Sequence, residues 1–268
     1  MVLLLQYIGL MFSTLTPEPA PVWFAAGTAT AFIFMRGISI LPGIWLGTFI
    51  AYFFVMGFNL ACVFASMHVF QAFSLLWFNY HFISPTLIFI RTHTFIKFII
   101  SSGLITFITC YILFYYCQQQ IHGITLPVSL CWQWWLADMN GIIIIACAII
   151  TWDIYFPDSH RLFQADKLQL GLMYGTLATI TFALALSNHT IPIYSLALLM
   201  ISLTLLISWM YGWCGSIAAM FTVALILSMN SYLNTPPRGN MLISIQLFLL
   251  TATISGLFVG IQRYEHSK

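Results

Sequence analysis

The stretch Trp134-Trp135-Leu136-Ala137-Asp138-Met139-Asn140-Gly141 decides how this chain is read, because it sets a carboxylate, Asp138, inside an apolar segment running from Cys131 to Trp152. No other acidic residue falls within a segment that could cross a bilayer. An ionisable group at membrane depth costs about 2.5–3.5 kcal/mol or more, so it faces other helices or water and has a partner or a task. The remainder of the chain reads as the housing of that group.

Composition sets the class of housing. The chain has 268 residues, of which 61% are hydrophobic and 5% charged, with a mean hydropathy of +0.98. A soluble domain carries roughly 25% charged residues, so this is an integral membrane protein. Membrane barrels alternate apolar and polar residues over segments of about ten. The apolar runs here are continuous and longer, which predicts an all-α polytopic helical bundle, read as one domain over residues 1–268. A formal charge of +2 gives no footprint for nucleic acid. The six cysteines show no metal spacing and mostly lie within spans, where Cys behaves as a small hydrophobe. Cys117 and Cys131 flank one loop, but spacing gives a disulfide there little support. No metal or cofactor is expected.

Spans need about 20 apolar residues at roughly 1.5 Å each. That rule places helices near 1–15, 19–35, 40–57, 59–80, 95–117, 131–152, 168–187, 191–210, 213–232 and 240–263. The turns around Arg36-Gly37 and Tyr211-Gly212 are tight enough for re-entrant pairs, so the expectation is eight to ten spans. Residues 1–15 lack a basic leader and a small-x-small cleavage site, so they read as a retained span. With ten spans, Arg36, Arg91, Lys97, Arg161, Lys167, Arg263 and Lys268 fall on one side and Arg238 alone on the other. That asymmetry puts both termini in the cytoplasm. The polar loop from Gln118 to Gly123 reads as a solvated connector. Gly43/Gly47, Gly171/Gly175 and Gly256/Gly260 have the spacing that lets helix backbones approach closely, and Pro42 opens the helix of the first pair. Packing within the chain is the first expectation. Gly256/Gly260 is the pair best placed for a homodimer.

In this topology Asp138 lies about seven residues, or roughly 10 Å, below the outer surface. His68 enters its span from the same side to a comparable depth, as do Trp23 and Gly27, and Asn140 lies half a turn beyond Asp138. Together with Trp135 they make candidate walls of an outward-opening cavity, suited to a small ligand with a cationic or hydrogen-bonding group. The plainer readings are that Asp138 bonds a neighbouring helix, that His68 is a neutral interhelical donor and that Trp132, Trp134 and Trp135 form an interfacial belt. No HExxH, Walker A, GxSxG, kinase or cyclase signature occurs, so the chain is not read as an enzyme.

Pro21-Val22-Trp23-Phe24-Ala25-Ala26-Gly27 followed by Leu41-Pro42-Gly43-Ile44-Trp45-Leu46-Gly47 resembles the paired W-x-x-x-G and P-G-x-x-x-G opening of the first class of bacterial membrane-associated sensor domains. The Trp134–Gly141 stretch resembles the same family's W-W-L-x-D-x-x-G motif. Gly212, Gly215, Ile245–Leu250 and Gln262-Arg263-Tyr264-Glu265 are similar to its closing helices. The resemblance implies a polytopic sensory module of the bacterial inner membrane. It implies as output partner a cytoplasmic histidine kinase, or a diguanylate cyclase or phosphodiesterase of cyclic-di-GMP signalling. The chain departs from that pattern in having Ala137 for a common Gly, no Pro after Gly141, and Lys268 where an output domain would begin.

Two function classes follow. One is a sensor that detects a small ligand or a membrane condition near Asp138 and relays it through its last helix. The other is a small-solute permease or carrier using the same cavity, although Gly141 to Ile150 offers no polar path inward. A membrane anchor that no longer senses is a third.

Overall fold

A computed structural model describes residues 20–83, 91–120, 125–155, 193–233 and 239–266, together with 171, 174–179 and 181. The expected span over 1–15, most of 168–187 and the loops bearing Arg161, Lys167 and Arg238 lie outside the described residues.

The described residues are helical and contain no strand. α1 spans Phe24–Arg36, and a 3₁₀ turn over Gly37–Ile40 leads into α2, Leu41–Phe82. α3 follows at Thr92–Gln120 and α4 at Val128–Asn140. α4 continues through a π-helical stretch, Gly141–Ala146, into α5, Cys147–Tyr155. α6 is Ile193–Leu233 and α7 is Asn240–His266. Five stretches are long and apolar enough to cross a membrane: Phe24–Phe82, Thr92–Gln120, Val128–Asp153, Leu198–Met229 and Asn240–His266.

Two of those stretches fold back on themselves. Gly57 in α2 has φ 79° and Gly212 in α6 has φ 68°, a backbone region that side chains other than Gly rarely adopt. Pairs across each break show hairpins. Trp45 Nε1 donates to Ser66 Oγ at 3.2 Å, and the Tyr52 and Phe64 rings lie 4.6 Å apart. Thr204 Oγ1 donates to Met220 Sδ at 3.6 Å across the second break. The sequence places span boundaries at these two glycines, and the chain reverses there.

Contacts also give helix directions. Trp23 N–H donates to the Ala137 carbonyl at 2.9 Å and Gly27 lies against Gly141, so α1 starts beside the last turn of α4 and runs parallel to the rod that continues from it. α7 is parallel to both, because Gln133 Nε2 donates to Gly239 O and, seven residues on, Asn140 Nδ2 donates to Gln246 O. Thr92 N–H and Oγ1–H both donate to Glu265 Oε2, at 3.1 and 2.7 Å, which brings the start of α3 to the end of α7. Arg36, Arg91 and Arg263 therefore gather at one end of the bundle.

α3 is inside-out by the standard of a soluble helix. Ile96, Ile100, Leu104, Ile108, Ile112 and Tyr115 are exposed, while Ser101, Ser102, Thr106 and Thr109 are buried. A helix bathed in hydrocarbon gains nothing by hiding leucine and must instead hide its polar groups among its neighbours. Exposed Trp77, Tyr80, Trp152 and Trp209 ring the end where the arginines gather, and Trp132 and Tyr115 lie toward the other. Aromatic side chains collect at such levels because they match the membrane–water interface. The protein is a membrane-spanning helical bundle.

The glycine pairs divide. Gly256 and Gly260 pack inside the chain: a Cβ on Gly260 would meet the backbone of Gly212 and Trp213, and one on Gly256 would meet the side chains of Ser216 and Thr204. The expected homodimer face at Gly256/Gly260 is therefore corrected, because α6 already occupies it. Gly43, Gly171 and Gly175 have nothing within 4 Å, so the expected helix packing there is not seen among the described residues, whereas Gly47 is buried. Pro42 is exposed in the first turn of α2. All six cysteines are free thiols, Cys117 and Cys131 included.

Candidate functional site

The site begins with how α1 is seated on α4. A Cβ on Gly27 would fall within contact distance of the Gly141 carbonyl and 2.7 Å from Ile145 Cβ, and one on Gly141 would run into the Trp23 carbonyl. Only two glycines allow backbones to approach this closely. Gly27 therefore forms a helix contact and not a ligand wall, which corrects its expected place in a cavity. The contact fixes Trp23 directly over Ala137 and one residue from Asp138.

Trp23 then reaches α2. Its indole Nε1–H donates to His68 Nε2 at 3.2 Å, and His68 Nδ1 lies 2.9 Å from the Phe64 carbonyl. A carbonyl only accepts, so the imidazole proton resides on Nδ1 and Nε2 is free to accept from tryptophan. His68 is thus a neutral link between α1 and α2. Tyr52 completes this corner, with ring centroids 6.3 Å from both Trp23 and His68.

Asp138 sits one layer below, on the α2 and α3 side of α4, and is 8% exposed. Its Oδ2 accepts from Gln71 Nε2 at 3.1 Å and from Cys110 Sγ at 3.7 Å. Gln71 Oε1 in turn lies 3.0 Å from Thr109 Oγ1. The Thr109 hydroxyl is also within reach of the Ile105 and Thr106 carbonyls of its own helix, so one hydrogen serves three acceptors. The result is a hydrogen-bonded chain, Thr109 to Gln71 to Asp138, that crosses α3, α2 and α4. A carboxylate so placed exchanges water for donors on two other helices, and its state is felt by both.

The remaining candidates point elsewhere. Trp135 donates from Nε1 to the Gly103 carbonyl at 3.0 Å and meets Phe107 and Trp132 edge to face, so it ties α4 to α3 away from the carboxylate. The aromatic ring nearer the acidic face is Trp134, one helical turn before Asp138, which lies 6.1 Å from Phe64 and 6.5 Å from Phe114. Asn140 faces the opposite side of α4, where its Nδ2 donates to the Pro21 and Gln246 carbonyls at 3.3 and 3.0 Å. The structure thus gathers Trp23, His68 and Asp138, and separates Trp135 and Asn140 from them.

Gln71, Thr109, Cys110 and Tyr52 belong to this corner without having been singled out in the sequence, and Trp134, read there as part of an interfacial belt, joins them. One signal was present: Gln71 follows His68 by three residues, which sets both on one helix face. Beneath Asp138 the π-helical residues Ile142, Ile143, Ile144 and Ile145 are at most 2% exposed, so apolar side chains close the layer below the carboxylate. Among the described residues no group of three or more His, Cys, Asp or Glu is placed to hold a metal ion. No protein-family model, curated protein or solved structure matches this chain.

Proposed function

We propose that this chain is a sensory module of bacterial signal transduction, spanning the inner membrane eight to ten times with both termini in the cytoplasm. It detects a small ligand or a membrane condition at the Asp138 corner and passes the change through α7 to a separate cytoplasmic histidine kinase, diguanylate cyclase or phosphodiesterase. It performs no catalysis itself. The observation that supports this reading best is the three-helix chain from Thr109 through Gln71 to Asp138. A ligand that competes for Asp138 must break the bonds that hold α2 and α3 to α4, which is how local chemistry is converted into helix movement. α3 in turn meets α7 through the contact of Thr92 with Glu265. The packed isoleucines below Asp138 favour this reading over a permease or carrier, which needs a polar route continuing inward.

The test is a crosslinking pull-down from native membranes with the full chain as bait, set against a version lacking Gln262 to Lys268 and against Asp138→Asn. Thermal melting confirms that each variant is folded. The expected result is capture of a kinase or cyclic-dinucleotide enzyme that depends on the tail and changes in the activity it delivers when Asp138 is neutralised. Recovery of the bait alone, with solute uptake into proteoliposomes that Asp138→Asn abolishes, would refute the sensor reading in favour of a carrier.

A further inference from the structure

A second polar knot lies on the far side of α4 from Asp138, and its hydrogen bonds do not balance. Asn140 and Gln246 are both fully buried, at 0% exposure. Asn140 Nδ2 spends its two hydrogens on the Pro21 and Gln246 carbonyls. Gln246 Nε2 spends its own on the Ala20 and Gln133 carbonyls, at 3.2 and 3.0 Å. Since every partner is a carbonyl, the orientation of both amides is fixed by chemistry. Both side-chain oxygens, Asn140 Oδ1 and Gln246 Oε1, are left buried with no hydrogen-bond partner.

The knot therefore has an excess of acceptors. Six oxygens, two from side chains and four from the backbone, face four amide hydrogens that are already committed. Two orphaned acceptors in one knot call for an occupant. A water would satisfy two oxygens but bring two lone pairs of its own into a place whose amide donors are spent. A metal cation brings none. The surroundings fit this: Ala20 to Trp23 is non-helical backbone buried in the bundle, and carbonyls of unwound segments at membrane depth are able to coordinate alkali-metal ions. All the oxygens are neutral, which suits one positive charge better than two, because sites for calcium and magnesium draw on carboxylates. Oxygen-only ligands also exclude the softer transition metals.

We propose that the Asn140–Gln246 knot, closed by the carbonyls of Ala20, Pro21 and Gln133, is a binding site for a monovalent alkali-metal cation. The ion ties the unwound start of α1 to α4 and α7. This site is independent of the Asp138 corner and of any sensory role.

The experiment is a thermal melt of the purified full chain in detergent, with lithium, sodium or potassium chloride replacing N-methylglucamine chloride at constant ionic strength. The expected result is a saturable rise in Tm with one preferred ion, amounting to roughly 3–6 °C at tenfold its Kd. Gln246→Met, which keeps the length and removes both polar atoms, is expected to lose that ion-specific rise. Equal Tm values in all four salts would overturn the proposal and leave a bound water as the occupant. An ion-specific rise that survives in Gln246→Met would overturn it as well, by placing the ion elsewhere. Where Gln246→Met does not fold, equal Tm values on the unsubstituted chain still overturn the proposal, and Asn140→Leu is the second variant that places the ion: an ion-specific rise that survives in it overturns the proposal too.

Discussion

Gly27→Ala is the most informative single substitution in this bundle, because two opposing effects of known sign meet there. In an isolated helix, replacing Gly by Ala stabilises by about 1 kcal/mol. Here the new methyl would stand 2.7 Å from Ile145 Cβ and closer still to the Gly141 carbonyl. Carbon atoms rest at roughly 3.5–4.0 Å, so α1 must move off the π-helical stretch by about 1 Å, a gap that forfeits a quarter to a half of each van der Waals contact along the seam. The seam is long, since every residue of α1 from Phe24 to Ile33 is buried. The same shift stretches the bond from Trp23 N–H to the Ala137 carbonyl, worth about 1 kcal/mol. With about 1–3 kcal/mol for overpacking, the net cost is about 1–3 kcal/mol, or a fall in Tm of about 3–9 °C. Gly141→Ala forces the same separation from the other side. Once the helices have parted for one methyl the second is nearly free, so the double variant is expected to melt close to the worse single one. The assay is a double-mutant cycle by thermal melting in detergent. A Gly27→Ala protein that melts at or above the parent temperature, or a double variant whose loss equals the sum of the singles, would refute the close approach.

Two further outcomes follow from the same packing. Gln71→Leu strips Asp138 of its one amide donor and Thr109 of its interhelical acceptor, and is expected to cost about 3–5 kcal/mol, read as lost accumulation in membranes; accumulation is expected to recover when Asp138→Asn is combined with it, because the unpaired charge is then gone. Gly57→Ala and Gly212→Ala each place a side chain at positive φ with extended ψ and open space around it, so each is expected to lose about 1–3 kcal/mol through backbone strain alone, measured as a Tm shift that is additive between the two hairpins.

The class of fold is legible in the sequence because composition decides it: a chain with this little charge has nothing with which to face water. The two hairpin glycines are legible for a related reason, since Gly57 and Gly212 interrupt apolar runs that are too long for one crossing. Asp138, Trp23 and His68 stand out as rare residue types in apolar surroundings, and they meet in the structure. Gln71, Thr109 and Cys110 do not stand out, because neutral polar residues are common in membrane helices and only a tertiary partner distinguishes one from another. Spacing misleads where it is silent about faces. Gly43/Gly47 and Gly171/Gly175 have the same period as Gly256/Gly260, yet among the described residues only the last pair has both members pressed against another helix. Asn140 shows the same limit, being two residues from Asp138 in sequence and on the opposite side of its helix.

The π-helical stretch from Gly141 to Ala146 carries a consequence for the whole of the segment it interrupts. A ladder of i to i+5 bonds holds one residue more than an α-helix would over the same turn, so α4 and α5 are one rod with a phase slip of about 100° between its halves. A single helical wheel drawn from Val128 to Tyr155 therefore describes neither half. The slip lets one continuous segment address two sets of neighbours: its upper half meets α3 and α7, its lower half turns to α6, and α1 runs along both. A straight α-helix of the same sequence would have to choose between them, and the extra residue spares the chain that choice without a break in the rod.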